Sequence, residues 1–120
     1  LYRKDRLMRP ETHLPISTIG PNDGWCDDPS EPAYNKRVIL PHPGGHETLY
    51  RLDSLYDIVV PLGYNDDPPI AGAGSAIFMH IARDDYSATE GCVAVAQTDL
   101  LTILALAGPE DFLTINPPRL

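Results

Sequence analysis

Basic residues are few in this chain. Nine Lys and Arg stand against 17 Asp and Glu, a formal net charge of −8. That balance argues against a nucleic-acid backbone or an anionic membrane surface as the main partner, and serves solubility instead. No apolar run is long enough to span a membrane, and no signal peptide is visible. Internal repeats and low-complexity tracts are also missing. The first residue is Leu1 rather than Met, so a fragment or a processed product is expected, and the missing signal says nothing about compartment. Cysteine is scarce: Cys26 and Cys92 permit one disulfide at most. They lack C-x-x-C spacing, and with His13, His42, His46 and His80 they make a weak metal-ligand pattern. No metal and no cofactor is expected.

Proline is in excess, with 13 residues beside nine glycines in a chain of 120, enough for one domain with a core. This punctuation breaks helices and favours short strands joined by turns, so the expected class is mainly β with one or two short helices. Tyr2 to Leu7 reads as a strand. Pro21-Asn22-Asp23-Gly24 is a turn signature, followed by Trp25 and Cys26 and a second turn at Asp27-Asp28-Pro29. Tyr56 to Val60 is β-branched and reads as a strand, with Pro61 marking an edge or bend. Ser75 to Ala82 is the clearest buried strand, with Ala76, Phe78 and His80 on one face and Ile77, Met79 and Ile81 on the other. Thr98 and Asp99 cap and charge a helix running to about Ala107, packed through Leu100, Leu101, Ile103, Leu104 and Leu106 and stopped by Gly108-Pro109. Phe112 to Ile115 reads as a final strand.

The chemistry-bearing stretch is Thr89-Glu90-Gly91-Cys92-Val93-Ala94, one loop beyond His80. A thiol is a poor nucleophile when protonated and a strong one as the thiolate, and an adjacent imidazole can take its proton. A glycine just before the cysteine lets the backbone turn sharply and lets a substrate approach local N–H groups. The plainer alternative is a core cysteine beside Val93 and Val95, and a structural histidine at a strand end.

The order strand, His80, loop, Gly91-Cys92, capped helix, strand resembles the catalytic half of the L,D-transpeptidase (YkuD-type) domain. Ile77-Phe78-Met79-His80 matches that family's strand and histidine. Thr89, Gly91 and Cys92 match three positions of its Ser/Thr-His-Gly-Cys-x-Asn/Arg motif, and Thr98-Asp99-Leu100-Leu101 matches the helix that follows. Tyr56 to Tyr64 resembles a short divergent branch that keeps Glu-Gly-Cys, and Asp23 to Asp28 matches more weakly. The chain departs from the motif in three ways: Glu90 replaces its second histidine, Ala94 replaces its Asn or Arg, and the loop from histidine to cysteine is short. Glu90 puts a negative charge beside the thiol, which would raise its pKa unless the side chain points away.

The resemblance implies a transpeptidase-like β-sandwich whose N-terminal part is missing from this chain. It also implies a peptidoglycan stem tetrapeptide as substrate, with Cys92 as nucleophile and His80 as general base, then acid. The N–H groups of Gly91 and Cys92 are the oxyanion donors it implies, and the Ile81 carbonyl is the group that would orient the imidazole. Thr89, Glu90, Arg83 and Tyr86 are the candidate substrate contacts, each with a plain alternative as a turn residue or a solvated side chain. Asp23, Trp25, Cys26, Asp27 and Asp28 form a distinctive cluster, expected to be a structural loop near the site. A monomer in the periplasm or cell envelope is expected on the same ground. The rival readings are a non-catalytic wall-binding domain, a cysteine amidase or carboxypeptidase that cleaves without transfer, and a metal site on Cys92 and His80.

Overall fold

The computed structural model describes residues 1–116. It is mainly sheet with a single short helix. Strands β1 (Asp23–Cys26), β2 (Arg37–Ile39) and β3 (His46–Thr48) form one sheet in the order β2-β1-β3, and both pairings are antiparallel. Strands β4 (Val59–Pro61), β5 (Phe78–Ile81) and β6 (Val93–Val95) form the other in the order β4-β5-β6. There β4 runs antiparallel to β5, and β6 runs parallel to it with His80 opposite Ala94. Helix α1 (Gln97–Leu106) follows β6 directly and packs back on β5.

The central strand β5 is buried at all four positions, and its pleat divides the core. Phe78 joins Ile19, Leu49, Leu55, Tyr56, Val59 and Ala76 on one side. Met79 and Ile81 join Ile58, Leu100 and Leu104 under the helix on the other. Trp25 of β1 meets the Phe78 ring edge-on at 5.1 Å between centroids, which ties the first sheet to the second. Of the five leucines and isoleucines expected to pack from α1, Leu100 and Leu104 are buried and Leu101 partly so, while Ile103 and Leu106 are exposed. The helix begins before the expected cap: Ala96 holds the N-cap position without a side-chain bond, and Asp99 supplies the first-turn acid.

Two expected strands do not form. Between Tyr2 and Leu7 only Tyr2 pairs, through isolated bridges to Thr18 and Ile58. The chain then turns, because the buried Arg3 guanidinium binds both carboxylate oxygens of Asp5 and lies 3.6 Å over the Tyr50 ring. Phe112 to Ile115 is exposed and irregular, since apolar residues make a strand only where a neighbouring strand takes their backbone bonds. The expected strand Ser75–Ala82 contracts to Phe78–Ile81, because Ala76 takes φ +57°, the left-handed region. Among the described residues, no helix is long and apolar enough to cross a membrane.

Candidate active site

Strand parity brings the thiol and the imidazole together. Phe78 and His80 share a face of β5, and Ala94 lies opposite His80 in the parallel ladder. Cys92 is two residues before Ala94, so it emerges on that same face, diagonal to His80. Strand spacing and rise place the two Cα atoms about 8 Å apart, within reach of a thiol and an imidazole. Both side chains line one cavity of about 390 Å³.

His80 is buried at 3% exposure, and its Nδ1 lies 2.9 Å from the carbonyl oxygen of Ile81. A carbonyl can only accept, so this contact assigns a proton to Nδ1, and in the neutral ring the lone pair is then on Nε2. The Ile81 carbonyl is therefore the group that fixes the orientation of the ring. The Tyr56 ring packs against the imidazole at 5.3 Å between centroids and 69°.

Cys92 is half-buried and Cys26 fully buried; both are free thiols, so the pair forms no disulfide. The Cys92 thiol donates to the carbonyl of Ala76 at 3.2 Å. Burial pushes its pKa up. The Phe78 backbone amide opposes that shift, and the Glu47 carboxylate adds to it. Glu47 belongs to β3, on the other sheet, whereas the neighbouring Glu90 is exposed on the loop.

The Ala76 carbonyl is aimed by a long-range hydrogen-bond network. Asn35, itself buried and in the left-handed region, accepts from the Ala76 N–H at 3.2 Å and from Trp25 Nε1 at 2.9 Å. Ser75 Oγ donates to the Cys26 carbonyl at 2.7 Å. The Trp25-Cys26 strand thus supports the wall beneath the thiol, and the following Asp27 lines the cavity itself.

The remaining candidates separate. Thr89 lines the cavity, but its hydroxyl donates to the Cys92 carbonyl at 2.6 Å, closing the turn. Gly91 sits at φ +82°, which a glycine takes without strain. Glu90 and Arg83 line the cavity from the exposed loop. Tyr86 lies outside that lining, and its hydroxyl accepts from the Ala96 N–H at 3.0 Å at the start of α1. Glu47, Arg51 and Tyr56 also line the cavity, and no motif in the sequence marks them. His42 and His46, four residues apart, lie 6.3 Å apart between ring centroids. Among the described residues, no group of three or more His, Cys, Asp or Glu converges to hold a metal ion. No protein-family model, curated protein or solved structure matches the chain.

Proposed function

We propose that this chain is the catalytic part of an L,D-transpeptidase-like cysteine acyltransferase of the bacterial cell envelope, acting on peptidoglycan stem tetrapeptides. The observation that carries the reading is the imidazole held through Nδ1 by the Ile81 carbonyl, with Nε2 on the sheet face that also bears Cys92. A nucleophile, a base and a group that orients the base is the minimal set for acyl transfer through a thiol.

In the proposed reaction the stem peptide enters the cavity with the carbonyl of its third residue above the sulfur. Cys92 Sγ leaves its bond to Ala76, gives its proton to His80 Nε2 and attacks that carbonyl carbon. The N–H groups at Gly91 and Cys92 face the tetrahedral oxyanion. Collapse breaks the carbon–nitrogen bond, and the imidazolium returns its proton to the departing D-alanine amine. An acceptor amine, from a neighbouring stem, a D-amino acid or a protein lysine, then loses a proton to His80 and attacks the thioester, releasing the thiol. Water in place of the amine makes the outcome a carboxypeptidase reaction. Arg83 and Glu90, at the cavity rim, are suited to the carboxylate of a diamino acid and to the incoming acceptor amine.

A second reading has its own support. The raised Cys92 pKa, together with Glu90 and Ala94 in place of the motif's His and Asn/Arg, favours a wall-binding domain of the same type without catalysis.

Intact-protein mass after exposure to a carbapenem separates the two, because such lactams acylate an activated transpeptidase cysteine. A stable adduct that disappears in Cys92→Ala supports the acyl-enzyme route. No adduct on a folded chain refutes it in favour of the binding domain.

A further inference from the structure

Tyr56 packs on the His80 imidazole, and Glu47 lines the same cavity as Cys92 and His80, both from a part of the chain that the proposed mechanism does not use. Glu47 is the middle residue of β3, which pairs with Trp25 of β1, and so belongs to the first sheet. Tyr56 lies in the segment before β4, buried, with its ring edge-on to both His80 and Phe78. The Tyr56 hydroxyl donates to a Glu47 carboxylate oxygen in a short hydrogen bond. Burial, followed by the Glu47 carboxylate, drives the Tyr56 pKa far above the usual phenol range, so the hydroxyl keeps its proton and remains the donor. Glu47 is half-buried and lines the same cavity as Cys92 and His80.

We infer that Glu47 and Tyr56 are positioning residues of the Cys92–His80 site: Tyr56 braces the imidazole with its ring and, through its hydroxyl, tethers the Glu47 carboxylate as a fixed negative charge at the wall of the cavity that Cys92 and His80 line. The other charges around the site leave that role to Glu47. Arg51 lies 5.1 Å over the Tyr56 ring, but its guanidinium is matched by both oxygens of Asp53 at 2.8 and 2.6 Å. Arg83, Glu90 and Asp27 line the cavity from exposed positions, where solvent screens them. The Phe78 amide acts in the opposite direction to Glu47, as a dipole rather than a full charge. A fixed negative charge makes loss of the thiol proton harder.

The test is the pH dependence of Cys92 alkylation by iodoacetamide in the full chain, read by peptide mapping so that the fully buried Cys26 is counted separately. Glu47→Gln keeps an acceptor for the Tyr56 hydroxyl and removes only the charge. Its alkylation midpoint is expected about one pH unit below that of the parent. Tyr56→Phe keeps the ring on His80 and Phe78 but releases the carboxylate toward solvent, so its midpoint falls by less. A loss of packing alone would lower thermal stability without moving either midpoint. A Glu47→Gln midpoint within about 0.2 units of the parent on a folded chain overturns the inference. If Glu47→Gln does not fold, an unmoved midpoint in Tyr56→Phe overturns it alone. The inference rests on the proposed Cys92–His80 site, yet alkylation needs no stem peptide. Absence of a carbapenem adduct would therefore leave it standing, and an unmoved midpoint would refute it without touching acylation.

Discussion

Replacing Asn35 with alanine removes the junction between the first sheet and the wall of the site. Its side chain is 4% exposed and makes four hydrogen bonds. It accepts from Trp25 Nε1 at 2.9 Å and from the Ala76 N–H at 3.2 Å. It donates to the carbonyls of Tyr64 at 2.9 Å and Asn65 at 2.6 Å. Tyr64 is exposed and Asn65 half-buried, so those carbonyls can turn to water when the amide is lost. The Ala76 and Trp25 donors face the interior, and each buried donor left without a partner costs about 1–2 kcal/mol. Asn35 also sits at φ 58°, where alanine is less favourable than asparagine by roughly 0.5–1 kcal/mol. The expected loss is about 3–4 kcal/mol, a large share of the roughly 5–15 kcal/mol that stabilises a small domain. Asn35→Gly removes the backbone part of that cost and should be about 1 kcal/mol less damaging. Asn35→Asp should be no better than alanine, because it points an oxygen at the Tyr64 and Asn65 carbonyls. Urea unfolding followed by the fluorescence of Trp25, the one tryptophan in the chain, reports all three variants. An Asn35→Ala chain within about 1 kcal/mol of the parent would refute the account of this network.

Two further outcomes are expected. Leu100→Ala, at a fully buried position of α1, should cost about 2–5 kcal/mol in the same urea experiment, whereas Leu106→Ala, 79% exposed, should be close to neutral; equal costs would mean the helix packs by another face. Burial works to raise the Asp23 pKa, but hydrogen bonds from Arg37 and the Gly20 amide and the Arg37 charge outweigh it and hold it below its ordinary 3.8. The stabilisation linked to Asp23 is then complete above that ordinary value and lost as pH falls through the lower folded one, so Asp23→Asn should flatten the acid limb of the urea midpoint against pH below about pH 4.

The legible parts of the fold are those set by local pattern. Phe78 to Ile81 combines alternation with bulk, and it forms the central strand because both of its faces meet apolar partners. The run Leu100 to Leu106 is helical as its composition suggests, yet only a narrow stripe of it is buried. Where the reading of the sequence departs from the structure, distant residues decide. Ala76 leaves the strand under the hold of Asn35, which lies far away in sequence and next to β2. Tyr2 to Leu7 turns because Arg3 finds Asp5 and Tyr50. Phe112 to Ile115 has the composition of a strand and no strand beside it. The candidate site divides in the same way. Cys92, His80 and Ile81 come from one β5–loop–β6 unit, so spacing can suggest their meeting. Glu47, Arg51 and Tyr56 arrive from the first sheet and the crossing segment, and nothing local to the cysteine announces them.

That division changes how the departures from the transpeptidase motif weigh on the site. Glu90 draws attention because it adjoins Cys92 in sequence, yet it is exposed and solvent screens its charge. Glu47, distant in sequence, is half-buried and lines the cavity beside the thiol, so less solvent screens its charge. Replacing Glu90 with histidine would therefore leave the thiol's ionisation nearly unchanged, while neutralising Glu47 would shift it. The resting thiol is also bonded to the Ala76 carbonyl and not to the imidazole. In the proposed reaction Cys92 has to rotate away from Ala76 before His80 can take its proton, so a bound substrate must favour the rotated state. An ammonium group on that substrate would do so by pairing with the Glu47 carboxylate, since the same contact removes the charge that opposes the thiolate. A diamino acid carries such a group, and a neutral amide analogue does not. The two should differ in how fast Cys92 is acylated more than in how tightly they bind.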